Sequence, residues 1–141
     1  MSKKCTGIAV LVLVCLALSA CIVESERPVI REHPWVNEQG NYLYGVVVAG
    51  GPGFVAGGRI SALLYFQEGF IRYVRIDVSA DTQSHVGTLP GVIVPIVRIT
   101  NSFNFPDTIV SGATVTTQRL KNAVRNTLIN EYNVRPEDVC F

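Results

Sequence analysis

Apolar and polar positions alternate most regularly in Arg59–Val78, RISALLYFQEGFIRYVRIDV. In Arg59–Phe66 one face carries Ile60, Ala62, Leu64 and Phe66. In Phe70–Val78 one face carries Phe70, Val74, Ile76 and Val78, while Tyr73, Arg75 and Asp77 point the other way. A period of two is the signature of half-buried strands. The three residues Gln67-Glu68-Gly69 between them supply a turn, with glycine where a positive φ is needed. Arg72 interrupts the apolar face, so it sits at an edge, is paired, or has a job.

The flanking segments read as partners of this hairpin. Residues 21–39 mix charges with two prolines and form an extended lead-in, with Trp35 packing back on the sheet. Tyr42–Ala49 is rich in strand formers. Gly50–Gly58, GGPGFVAGG, is a loop, because five glycines and a proline hold neither a helix nor a central strand. Val92–Ile99, VIVPIVRI, is almost continuously apolar and predicts a strand buried on both faces, at an edge or bulged at Pro95. Thr100–Asp107 is another loop that offers Phe103 and Phe105 as plugs for the core, and Thr108–Val115 predicts the last strand.

The period then changes to four. Leu120, Val124, Leu128 and Tyr132 predict an amphipathic helix over Thr117–Tyr132. Thr116 or Thr117 caps its start, Asn133 takes the left-handed position after it, and Pro136 forbids continuation. The expected fold is α+β: a single, mainly antiparallel sheet of about five strands with one C-terminal helix packed on it.

The N-terminus changes the picture. Lys3 and Lys4, the apolar run Ile8–Leu18 and the small residues Ser19-Ala20 have the layout of a secretory signal, with an apolar stretch short of a membrane span. We therefore divide the chain into a signal over 1–20, a lead-in over 21–39 and one domain over 40–141. Without the signal, ten basic residues face eleven acidic ones, a formal charge of −1, with no basic run to favour nucleic acid. Of the four cysteines, Cys21 and Cys140 then remain, and in an oxidising compartment they predict one disulfide between the chain ends. Leu18-Ser19-Ala20-Cys21 also has the form of a bacterial lipobox, in which Cys21 carries lipid. The two fates exclude each other, and without lipid no membrane contact is expected.

Candidate chemistry is sparse. Gly51-Pro52-Gly53-Phe54-Val55-Ala56 fits a loose G-x-G-x-x-A, but Gly57-Gly58 destroys the helix start that a dinucleotide needs, so no cofactor is expected. Asp81, Ser84 and His85 are an acid, a nucleophile and a base in one loop, without the strained turn of a hydrolase nucleophile. No His/Cys/Asp group has metal-ligand spacing. Charges within predicted strands, Arg72, Arg75 and Arg98, together with Tyr65 and Tyr73, form a Tyr/Arg stripe of the composition found at binding hot spots.

Gly40-Asn41-Tyr42-Leu43-Tyr44, Ile71-Arg72-Tyr73-Val74-Arg75, Gly91-Val92-Ile93 and Asn101–Phe105 together resemble the insect secreted proteins of the multiprotein bridging factor two type, over residues 40–115. Leu89-Pro90-Gly91 replaces the paired glycines of that pattern, and the terminal helix lies outside it. The resemblance implies a secreted, β-rich, non-enzymatic protein, some of whose relatives are transcriptional co-activators, and it brings no site residues. The sequence thus predicts a small secreted binding protein for an extracellular protein or small ligand. A lipid-anchored envelope protein and a small hydrolase are the alternatives.

Overall fold

The computed structural model describes residues 31–79, 81, 86–139 and 141. The expected signal over 1–20, Cys21, Ser84, His85 and Cys140 lie outside the described residues. Among them the chain is α+β, with three strands and two helices: β1 (Gly45–Pro52), β2 (Arg59–Gln67), β3 (Phe70–Asp77), α1 (Leu89–Thr100) and α2 (Thr114–Asn130). A short 3-10 turn, Pro136–Val139, follows. The sheet is antiparallel in the order β1-β2-β3.

The central hairpin forms where the alternation placed it, with two corrections. Gln67 pairs with Phe70, so the turn is the two residues Glu68-Gly69, both at positive φ (52° and 79°). This is the twist that suits the flanking strands. Gly69 is also fixed by space, since a Cβ there would lie 2.5 Å from the Cβ of Pro34 and 2.6 Å from the Trp35 carbonyl oxygen. The second correction explains Arg72. Tyr65 pairs with Tyr73 and Phe66 with Ile71, so Arg72 is the extra residue of a β-bulge. The bulge resets the alternation: Ile71 faces inward in place of Phe70, Arg72 and Tyr73 are both exposed, and Val74 and Ile76 return to the core.

Two of the five expected strands do not exist. Val92–Ile99 lies within α1, whose buried residues Leu89, Ile93, Val97 and Thr100 follow a helical spacing. Continuous apolar runs do not distinguish a strand from a buried helix, and packing against β3 overrides the strand propensity of Val and Ile. Pro90 sits in the first turn, where its missing N–H costs nothing, and Pro95 is carried inside the helix. Thr108–Val115 is also no strand. Bonds from Ile109 N–H to the Pro106 carbonyl and from Ala113 N–H to the Val110 carbonyl, with Gly112 at φ 80°, wind it into consecutive turns.

Helix α2 therefore begins at Thr114 rather than Thr117, and neither predicted threonine caps it. Thr117 Oγ1 donates to the Ala113 carbonyl and Thr116 Oγ1 to Asp81. Asn133 does adopt the left-handed conformation, at φ 53°. The first strand is shifted too: it starts at Gly45, at φ 95°, three residues after Tyr42, and runs on through Gly50-Gly51 to Pro52. Pro52 is tolerated there because β1 is an edge strand.

Both helices cover the same face of the sheet, α1 on β3 and α2 on β1 and β2. Between them Leu64, Phe66, Ile60, Val47, Leu120, Val124 and Leu128 are fully buried. The lead-in closes one end. Trp35 is buried, its N–H donating to the Gly69 carbonyl and its Nε1 to the Asn101 carbonyl at 2.9 Å. Phe103 and Phe105 are buried beside it, as their spacing suggested, and Phe141 meets Phe103 at 5.7 Å and Trp35 at 6.3 Å.

Candidate functional site

The other face of the sheet carries no helix. Its rows follow from the register: Val46 beside Tyr65 beside Tyr73, then Val48 beside Leu63 beside Arg75, then Gly50 beside Ser61 beside Asp77. Tyr44 reaches over the end of the first row and meets Tyr65 edge-on, ring centres 6.3 Å apart. A side-chain hydrogen bond with Tyr44 holds the Tyr65 phenol above its ordinary value. Tyr44, Val46, Val48 and Tyr73 are each more than half exposed. The result is an apolar, tyrosine-rich surface with charge at one border. There Asp77 is held below the usual carboxylate range, first by the Ser79 hydroxyl at 2.6 Å and then by the Ser79 N–H at 2.9 Å.

The Tyr/Arg stripe expected from the sequence is therefore divided. Tyr65, Tyr73 and Arg75 share the open face. Arg72 and Arg98 do not join them: together they line a notch between β3 and α1, floored by Ile71, Val94, Pro95 and Ile99. The bulge turns Arg72 toward that edge, where its guanidinium lies 5.6 Å from the Phe70 ring centre. Tyr44, Val46 and Val48 belong to the open face and were missed. Their signal was the run of three valines, in which every second residue had to face outward once Val47 faced the core.

Asp81 has a clear structural task. One carboxylate oxygen accepts from the Phe54 and Val55 N–H groups at 3.1 and 3.2 Å, and the other from Thr116 Oγ1 at 2.7 Å. It thereby fastens the glycine loop 53–58 to the first turn of α2, and Arg119 one turn further along donates to the Gly53 carbonyl. That first turn has no acidic residue and no side-chain cap of its own, and the Asp81 carboxylate on Thr116 is the negative charge beside it. The glycine loop leads into β2 and not into a helix, which removes the geometry a dinucleotide fingerprint needs.

A second polar tie fixes the segment after α1. Lys121 is buried, and its Nζ donates to the Phe105 carbonyl at 2.7 Å and to Asp107 at 2.8 Å. Hydrogen bonding from Lys121 holds the Asp107 carboxyl below its ordinary range against a partial opposing effect of burial. Among the described residues no group of three His, Cys, Asp or Glu could hold a metal ion, and no helix is long and apolar enough to cross a membrane.

Compared with family models, characterised proteins and solved structures, the chain matches none of them.

Proposed function

We propose that this chain is a small secreted, non-enzymatic binding protein that receives an extracellular partner on the helix-free face of its sheet. One observation carries the reading: Tyr44, Val46, Val48, Leu63, Tyr65 and Tyr73 form a continuous apolar surface although the opposite face already supplies a complete core. Contiguous exposed apolar surface marks interaction sites, and tyrosine provides rigid contact area with a polar tip. Arg75 at the border supplies orientation rather than affinity.

The test compares two double variants of the full chain as bait in the extracellular fluid of its source. Tyr65→Ser/Tyr73→Ser should lose the partner held by the wild type, and Arg72→Ala/Arg98→Ala should keep it. Equal capture by wild type and the tyrosine variant would remove this face from consideration.

The lipobox form of Leu18–Cys21 supports a second reading of where the protein works, in which a lipid on Cys21 anchors the same binding domain to an envelope. Intact mass separates the two, since diacylation adds hundreds of daltons and a disulfide with Cys140 removes two.

A further inference from the structure

A groove runs between the free edge of β1 and one flank of α2, bordering the open face at Gly50. The helix lies alongside β1 in the opposite sense. Arg119 bonds the Gly53 carbonyl, Ala123 approaches Gly51, and the Tyr132 hydroxyl, just beyond the helix, donates to the Val46 carbonyl at 3.1 Å. The last bond shows that the Val46 carbonyl looks out of the sheet toward the helix. In an antiparallel strand Val48 and Gly50 then turn their backbone groups to the same edge. Against that edge the helix sets Asn122, Asn126 and Asn130, all exposed and without a hydrogen-bond partner among the described residues.

Asparagine weakens a helix interior, so three at strict intervals of four call for another reason. Four helical residues advance about 6 Å, and two residues of extended chain advance about 6.6 Å. The three amides therefore keep step with the backbone of an extended peptide, each able to give and accept one hydrogen bond. The ends of the groove are charged in opposite senses: Arg119 at one, Glu131 and the helix C-terminus at the other. From Arg119 to Glu131 is about 18 Å along the axis, the span of about five extended residues.

We propose that this groove binds a short extended peptide with free ends. Its backbone pairs with the β1 edge on one side and with Asn122, Asn126 and Asn130 on the other. Its carboxylate lies at Arg119 and its amino group at Glu131, so it runs parallel to β1. The proposal is independent of the tyrosine face.

The probe is the pentapeptide Thr-Val-Thr-Val-Thr, free or with its carboxyl amidated, titrated into the full chain and followed by NMR. Saturable shifts are expected at the Val48 and Gly50 amides and the three asparagine side chains. Asn122→Ala/Asn126→Ala should weaken binding about tenfold. Amidating the peptide should weaken binding to the wild type about tenfold, and Arg119→Gln should bind the free and amidated forms equally. A merely structural effect of Arg119 would weaken both forms alike and preserve the difference between them. Equal affinity of wild type for the two peptides, absence of saturable shifts at millimolar peptide, or shifts confined to the Tyr65 and Tyr73 rows would overturn the proposal. Sedimentation showing self-association lost in Val48→Pro would instead assign the groove to a second copy and equally overturn it.

Discussion

Val46, Val47 and Val48 are identical side chains in consecutive positions of one strand, and they have opposite fates. Val47 is 1 % exposed beneath α2, whereas Val46 and Val48 are 54 % and 58 % exposed on the open face. Residue type therefore does not decide which side of this sheet is the core; the side on which the two helices land decides it. On the covered face the apolar surface is spent in folding. On the open face the same kind of surface remains available to something outside the chain.

The sharpest way to break this contrast is to truncate across it. Phe66→Ala or Leu64→Ala, fully buried between the helices, should destabilise the fold by about 3–5 kcal/mol in urea unfolding. Val48→Ala on the open face should change stability by no more than about 0.5 kcal/mol. A comparable loss at Val48 would mean that the open face is covered in solution.

Asn101 tests what keeps the two faces sorted at the bulge. It ends α1 at φ 50°, its Oδ1 accepts the Ile71 N–H at 2.9 Å and its Nδ2 donates to the Gly69 carbonyl at 3.3 Å. It thereby gives a partner to a ladder group beside the extra residue Arg72. Asn101→Ala leaves that buried N–H unpaired and should cost about 2–3 kcal/mol. Asn101→Gly relieves the backbone strain alone and should recover only part of the loss.

Much of the hairpin was legible because period-two alternation is a local property, and Gly69 and the inward residues of β2 needed no tertiary information. In β3 the inward Val74 and Ile76, and Val78 just after them, were legible as well, and only the start was not. The bulge at Arg72 puts Ile71 rather than Phe70 inward, and what holds it is Asn101, thirty positions after Ile71. Val92–Ile99 failed for a different reason: an apolar run broken only by Arg98 satisfies both periods, and only docking on β3 chooses the helix. The stripe through Arg72 and Arg98 divided for the same two reasons, since the bulge moved one arginine to the edge and the helix carried the other there.

The Lys121–Asp107 tie, made by a buried lysine of α2, gives a pH-dependent contribution of its own. Because the folded Asp107 carboxyl is held below its unfolded value, its contribution is complete above the ordinary carboxylate range. It is lost as pH falls through the lowered folded value. Urea midpoints of wild type and Lys121→Met should therefore differ most near neutrality and converge as the solution is acidified below about pH 4. A difference that stays constant to pH 2 would assign the role of Lys121 to its bond with Phe105 alone.

The smallest effect belongs to the open face and reads its geometry without a partner. The hydrogen bond that the Tyr65 hydroxyl donates to Tyr44 favours the neutral Tyr65 phenol, and the approach of a second phenolate acts in the same direction. Tyr44→Phe keeps the edge-on ring and removes the hydroxyl, so Tyr65 should titrate closer to the ordinary tyrosine value. The ring Cζ NMR shift of Tyr65 followed against pH reports this directly, and the fold itself should not change. An unmoved Tyr65 titration would mean that the two hydroxyls do not meet in solution. The row Val46–Tyr65–Tyr73 would then lack the fixed tyrosine pair at its end, and the open face would be a set of separate exposed side chains rather than one surface.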